Sequence, residues 1–520
     1  MKRYYLVLAI IGLVLVIFAL PVLADQFNPN LDGWYFSNWK ELTPNCVGSC
    51  EFTWDLYRQT FLGINPTHDC VEAPLDCLYY EIFKICAKGG NCGGMSLLAL
   101  ALYKYGGYMG FCSPAYFYTG TDGPDRDDLH QAINIFQARQ FSASGVENFL
   151  ELVDSGDLNN AERAFYEVKE NLGKGDYPVL SLANSFYGAD AHTVIPYAVE
   201  ENPAGYAAGT KIIYIWDSNH PYDEDPSHYA DTSTDNHLVI TDKYDWYYTS
   251  GLTHYSGSGW DSAWCFCVPM SKIVHKSRQP MALDMVFGAL LTVFVSGPGA
   301  VLSQVSDDAG HQMFARPRTS TEEVWEEDPE LRLQGAFRWP YGERPSADEP
   351  ELFLIRQPLD DKDQEMSFVI DGASYKTVLG YGGEVFELEA SSEKSARDTI
   401  TLSRSAQNPN LQITTTSPLR TLSVRRLRQG ITANSWRALL ISDLRISQNS
   451  TITISTVGDL SAIQVKSPDM ELAFSISAQS KDKSTFYTRD FGKVSAPKAK
   501  ALQVGPKDWS NLKDTSLELR

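Results

Sequence analysis

Gly89-Gly90-Asn91-Cys92-Gly93-Gly94-Met95, running directly into Ser96-Leu97-Leu98-Ala99-Leu100-Ala101-Leu102-Tyr103-Lys104-Tyr105, is the stretch that decides how this chain reads. The second part is almost wholly apolar, the pattern of a buried helix, and the glycines punctuate its start. Cys92 therefore stands where a helix begins. Unpaired amides and the positive end of the helix dipole favour thiolate over thiol there, which lowers a cysteine pKa and makes a nucleophile. The flanking glycines leave room for a substrate backbone to approach. The competing reading makes Cys92 one more disulfide partner in a glycine-rich turn.

A nucleophilic thiol needs a base, and the base needs an orienting group. Of nine histidines, His192 opens a strand-like run, Ala191-His192-Thr193-Val194-Ile195-Pro196-Tyr197-Ala198-Val199. After a turn around Pro203-Ala204-Gly205 comes a second run, Lys211-Ile212-Ile213-Tyr214-Ile215-Trp216-Asp217. An antiparallel hairpin that sets Val199 opposite Lys211 brings His192 opposite Asp217 to within one residue, a slip that a bulge absorbs. Pro196 cannot donate to a ladder, so a bulge or unpaired edge is expected near it. Gly175 to Leu182 reads as a preceding strand of the same sheet, and about 159–171 as a helix before it.

At these residues the chain resembles the papain-like cysteine proteases, most closely the bacteriocin-processing (C39-like) peptidase group. The resemblance rests on Asn-Cys-Gly-Gly-Met opening a helix, His-Thr-Val-Ile-Pro-Tyr opening a strand and Tyr-Ile-Trp-Asp-Ser-Asn-His-Pro closing the next; it covers roughly residues 40–275. It implies an α+β fold in which a helix with an N-terminal Cys packs on an antiparallel sheet. It also implies Cys92 as nucleophile, His192 as general base and Asp217 as orienting carboxylate, with a thioester intermediate. The family commonly places an oxyanion-hole Gln six residues before its Cys; here that position is Cys86, a departure. Asn91 and the Cys92 amide are candidate donors in its place, as are Gln137 and Gln140. Asn219 competes with Asp217 for the third role, since an amide serves there in papain-like enzymes. The implied activity is an exported hydrolase of peptides or amides acting on a peptide or protein substrate. Transglutaminases share the order Cys, His, Asp, so acyl transfer to an amine stays open, as does a non-catalytic surface or binding protein on the same scaffold.

Composition frames these readings. The 520 residues are 43% hydrophobic, ample for packed cores, and the net charge of -21 argues against a nucleic-acid binder, whose phosphate contacts need excess Lys and Arg. Lys2 and Arg3 precede an apolar run from Tyr4 to Leu23, and Val22 and Ala24 fit a small-residue cleavage site, so residues 1–24 read as a signal peptide. Uncleaved, residues 4–23 are a membrane anchor. All nine cysteines lie before residue 268. An odd count leaves one thiol over, and four bridges among the other eight would leave Cys92 free.

Charge divides the chain in the same place: residues 25–280 hold 15 basic and 33 acidic side chains, residues 281–520 hold 27 and 32. The acidic run from Asp217 to Asp235 reads as a solvated loop or, alternatively, as an oxygen-rich calcium loop using Asp217, Asp223 and Asp225. Calcium is the one cofactor that the residues suggest. Met281 to Val305, broken at Ser296-Gly297-Pro298-Gly299, reads as two strands joined by a turn. Further short alternating segments between 352 and 476 make residues 285–520 a β-sandwich region, in one or two modules with a loop near 315–351. That region shows no catalytic constellation and reads as a surface or binding module.

Overall fold

The computed structural model describes residues 27–38, 52–70, 72–88, 90–118, 126–184, 191–219, 237–250, 253–259, 263–278, 290–314, 333, 336–339, 351–356, 364–381, 384–404, 410–429, 435–458, 460–482 and 485–520. The signal segment 1–24 with its apolar run 4–23, and the calcium candidates Asp223 and Asp225, lie outside the described residues. Among those residues no helix is long and apolar enough to cross a membrane. The chain is α+β, with large antiparallel sheets.

The amino-terminal half places its helices first: α1 (Trp54–Thr60), α2 (Pro74–Lys88), α3 (Cys92–Tyr105), α4 (Asp127–Arg139), α5 (Ala143–Ser155) and α6 (Ala161–Lys174). Seven strands follow, β1 (Pro178–Leu182), β2 (His192–Glu201), β3 (Lys211–Trp216), β4 (His237–Ile240), β5 (Trp246–Ser250), β6 (Thr253–Gly257) and β7 (Cys265–Pro269). Sequential strands pair antiparallel from β1 to β6, and β7 returns to the free side of β1.

Alternation along these strands fills two layers. Val179, Ile195 and Trp216 face the core that contains α3, while Leu180, Val194, Ile213 and Ile215 face α6. Gly93 to Leu102 are all buried, as an apolar all-round sequence requires, and Gly106 ends α3 at φ 69°. By contrast α6 is amphipathic, burying Ala161, Ala164, Phe165 and Val168 on one stripe. Asn160 caps it by accepting from the Arg163 N–H at 3.0 Å, and Gly175 closes it at φ 68°. The helix expected over 159–171 thus lies two to three residues further along, at Ala161–Lys174.

The carboxyl-terminal half forms one extended antiparallel network. Leu290–Ser296 and Val301–Asp307 are the two strands expected on either side of the Ser-Gly-Pro-Gly turn, yet they do not pair with each other. Both pair with Gln364–Tyr381, on its second and first halves respectively. That strand is 18 residues long and its partner Glu384–Arg404 is 21, where short segments were expected. Such length is sustained because the hairpin changes partners halfway: Glu384–Ser391 pairs with 419–429, whereas Asp398–Ser403 pairs with 410–415. The register shifts between Gly372 and Ser374, the irregularity that lets strands pass from one layer to another.

A buried ion pair pins this bend. Arg420 and Asp398 are both fully buried, with Arg420 Nε 2.7 Å from Asp398 Oδ2. Arg420 also donates to the Gly372 and Ala373 carbonyls, and the Tyr375 hydroxyl donates to Asp398. A charge taken from water needs partners of this kind to offset its desolvation.

The two halves share a core. Phe52, Trp54, Tyr57, Phe61, Tyr80 and Phe83 of the helical layer, with Ile135 and Ala138 of α4, pack in one cluster with Phe294, Val378, Val385, Leu427, Trp436 and Ala438. Trp436 Nε1 and Lys481 Nζ both donate to the Glu72 carbonyl, at 3.3 and 3.0 Å. The β-rich half is therefore a brace against α4.

Cysteine pairing departs from the expectation of four bridges around a free Cys92. Cys70 and Cys77 form a disulfide, but Cys112, Cys265 and Cys267 are free along with Cys92. The last two are buried two residues apart on the inward face of β7 and pack as small apolar groups; burial pushes both thiols up. His68 approaches Cys70 and Cys77, the one grouping of potential metal ligands among the described residues, but its sulfurs are already joined.

Candidate active site

Cys92 is the first residue of α3, with Asn91 as its N-cap. The glycines serve the protein's own packing. A Cβ at Gly94 would stand 2.2 Å from the Ile133 carbonyl oxygen, and one at Gly93 would stand 2.0 Å from the Gln140 amide nitrogen. At Gly93 and Gly94 the space expected for a substrate backbone is filled by α4 and the residue that follows it. These two glycines let α4 lie directly on the start of α3.

His192 opens β2, as expected, but the hairpin register is not the expected one. Ile195 pairs with Trp216 and Glu201 with Lys211, shifted from a Val199–Lys211 pairing, and the ladder is irregular between Pro196 and Ala198, where Pro196 called for a bulge. Asp217 thus lies just past the ladder and reaches His192 diagonally. Even so, His192 Nε2 is 2.5 Å from Asp217 Oδ1. Both are buried, at 3% and 0% exposure.

The other ring nitrogen is left for Cys92, whose sulfur shares a hydrogen bond with the His192 side chain. Cys92 is half-buried. Burial alone pushes its thiol pKa up, but the hydrogen bond and charge of His192 and contacts from the Thr193 and Gly93 backbone outweigh this and lower it. For His192, burial opposes the charged ring; the carboxylate of Asp217, its hydrogen bond and Cys92 overcome that and raise the pKa to about 10. Asp217 is likewise opposed by burial, and the His192 charge with donors from His192, Tyr248 and the Asn219 N–H brings it to about 2. The three directions agree in favouring the charged forms: thiolate, imidazolium and carboxylate.

Two tyrosines complete the site, and nothing in the sequence reading singled them out. The Tyr248 hydroxyl donates to Asp217 Oδ2 at 2.7 Å, and Tyr255 lies nearly parallel to the His192 ring, centroids 5.9 Å apart. They are directly opposed on β5 and β6, so this hairpin folds over the imidazole–carboxylate pair. The available signal was the alternation Trp246-Tyr247-Tyr248, which marks a strand but not its destination.

Asp217 has no oxygen left for a cation: Oδ1 serves His192 and the Asn219 N–H, and Oδ2 serves Tyr248. The calcium reading loses its first ligand for that reason. Asn219 is not the third member either; its backbone N–H donates to Asp217 Oδ1 at 2.8 Å and its side-chain oxygen faces Asn38.

The oxyanion candidates separate clearly. Asn91 is fully buried, and neither end of its amide meets a hydrogen-bond partner. Gln137 turns its oxygen to the Gly94 N–H at 2.7 Å, which orients the helix start. Gln140 is half-buried, its Nε2 bonded to the Gln137 carbonyl at 3.1 Å, and its amide covers Gly93 beside the nucleophile. Of the three, Gln140 combines solvent access with that position. The Cys86 side chain lies outside the described residues.

No protein-family model, curated protein or solved structure matches this chain.

Proposed function

We propose that this chain is an exported cysteine hydrolase of papain-like fold, similar to the C39-like peptidases, that cleaves peptide or amide bonds through a thioester on Cys92. The observation that carries the reading is the chain from the half-buried Cys92 through the buried His192 to Asp217, with Tyr248 donating to the far carboxylate oxygen. A nucleophile, a base held in one orientation and a carboxylate fixed by two further donors are the parts that acyl transfer needs.

The thiolate attacks the scissile carbonyl carbon, and the developing oxyanion takes hydrogen bonds from the amides at the start of α3 and from the Gln140 amide as it turns away from the Gln137 carbonyl and Oε1. Collapse breaks the C–N bond, and His192 gives its proton to the departing amine. The neutral ring then takes a proton from water as water attacks the thioester, releasing the acid and restoring the thiolate. An amine in place of water would give transfer.

The test is incubation of the full chain and its Cys92→Ser counterpart with a mixed peptide library, followed by mass spectrometry of the protein and of the peptides. Acyl adducts on Cys92 and cleaved products confined to the cysteine-bearing protein are expected. Transamidated products would favour a transferase, and neither adduct nor product from a protein with free Cys92 would leave a binding scaffold.

A further inference from the structure

Cys92 and Asp217 arrive from distant stretches, yet a third stretch touches both. Residues Gly33 to Asn38 form a strap between the start of α3 and the turn after β3. Trp34, fully buried, donates from Nε1 to the Met95 carbonyl at 2.8 Å, anchoring the strap one turn into α3. Gly33 lies so close to the Trp216 indole that an added Cβ would stand 2.3 Å from its nitrogen, which fixes the strap against the end of β3.

Asn38 makes the decisive contacts. Its side-chain oxygen accepts from the Asn91 N–H at 2.9 Å, its amide nitrogen donates to Asn219 Oδ1 at 3.1 Å, and its own N–H donates to the Ser218 carbonyl at 2.8 Å. Asn91 immediately precedes the nucleophile; Ser218 and Asn219 immediately follow the carboxylate. With the Asn219 N–H on Asp217 Oδ1, these bonds close a circuit: Cys92, His192, Asp217, Asn219, Asn38, Asn91 and back to Cys92 through one peptide bond.

We infer that Asn38 is a positioning residue for the proposed hydrolase, setting the distance between the thiol arm and the carboxylate arm so that His192 bridges both. An amide suits the task because one end must accept and the other must donate. Ser96 Oγ of α3 donates to the Thr193 carbonyl beside His192 at 3.2 Å, so α3 is tied to β2 as well; the strap adds the tie to the Asp217 turn. Without the strap, the sulfur and the imidazole depend on packing and on that one bond for an alignment that tolerates little error. Asn38 touches no reacting atom, and the inference rests on the reading of Cys92 as an activated thiol.

The experiment compares iodoacetamide labelling of Cys92 against pH in the full chain and in Asn38→Ala, Asn38→Asp and Asn219→Ala, with thermal melts of each. The native protein is expected to label Cys92 well below the pH at which an ordinary thiol reacts. Asn38→Ala and Asn219→Ala should each lower the rate at neutral pH by about tenfold and shift the profile upward, as a misplaced base would. Asn38→Asp still accepts from the Asn91 N–H, and the Asn219 amide can rotate to donate to it, so it should stay within about threefold of native. A merely structural residue would lower the melting temperature and leave the profile where it was. Native labelling at low pH together with an unchanged profile in Asn38→Ala, or in Asn219→Ala should the former not fold, would overturn the inference while leaving the hydrolase reading intact. A native profile no different from a free thiol would remove both.

Discussion

Tyr248 donates its hydroxyl to Asp217 Oδ2 at 2.7 Å, and both residues are fully buried. The carboxylate therefore has a donor on each oxygen, so that its charge is held away from water and aimed at His192. Replacing Tyr248 by Phe leaves that oxygen buried without a donor, at a cost of about 1–3 kcal/mol. Denaturant unfolding at neutral pH should show a loss of that size. Turnover should also fall, whereas the analogous change Tyr247→Phe, on the opposite, exposed side of the strand, should do neither.

Asp217 predicts a specific pH dependence. Its folded pKa, about 2, lies below the ordinary value of 3.8, so its charged form stabilises the fold above that ordinary value and the contribution disappears as pH falls through the folded value. The stability gap between the native protein and Asp217→Asn should be on the order of 2 kcal/mol near neutrality and close between about pH 4 and pH 2. Urea melts across that range measure it. A gap that stayed constant down to pH 2 would mean that the carboxylate gains nothing from its partners.

Gln140 is expected to act on the oxyanion and not on the thiolate. Gln140→Ala should lower turnover by about a hundredfold. Its alkylation profile should match the native one, since the groups that lower the Cys92 pKa are His192, Thr193 and Gly93. Loss of alkylation together with turnover would show that Gln140 organises the helix start instead.

Trp436 joins the two halves through an apolar cluster and a hydrogen bond to the Glu72 carbonyl. Trp436→Ala should destabilise the whole chain by about 3–5 kcal/mol. Calorimetry should show the amino-terminal unfolding signal shifting with that of the β-rich half. A shift of one transition without the other would show that the shared cluster is not a common core.

Much of the site was legible because its chemistry sits on strong local signals. Cys92 could be placed at a helix start because glycines border a long apolar run, and His192 and Asp217 because two β-branched runs face a Pro-Ala-Gly turn. What escaped depends on contacts that no local pattern encodes. The hairpin register differs from the one expected because the strand pair is set by its neighbours as well as by its turn, and Leu182 holds His192 from the other side. Tyr248, Tyr255 and Asn38 reach the site from distant stretches, and their own surroundings read as ordinary strand and loop. The glycines were legible as close-approach positions, but not the identity of what approaches; α4 took the place assigned to substrate. In the carboxyl-terminal half, alternation marked some of the strands and missed others, Leu419–Gln429 and Thr485–Ala496 among them, and it underestimated the longest, because a strand that changes partners at a bend looks like two short ones.

The central claim is that Cys92 exists as a thiolate paired with the His192 imidazolium. Ultraviolet difference absorbance between the native protein and Cys92→Ser, recorded against pH, reads the thiolate directly. The account predicts thiolate absorbance already present at neutral pH, sustained up to the His192 value of about 10 and beyond, and lost at neutral pH in His192→Ala. Thiolate that appears only in the ordinary thiol range, with the same midpoint in native protein and His192→Ala, would contradict it.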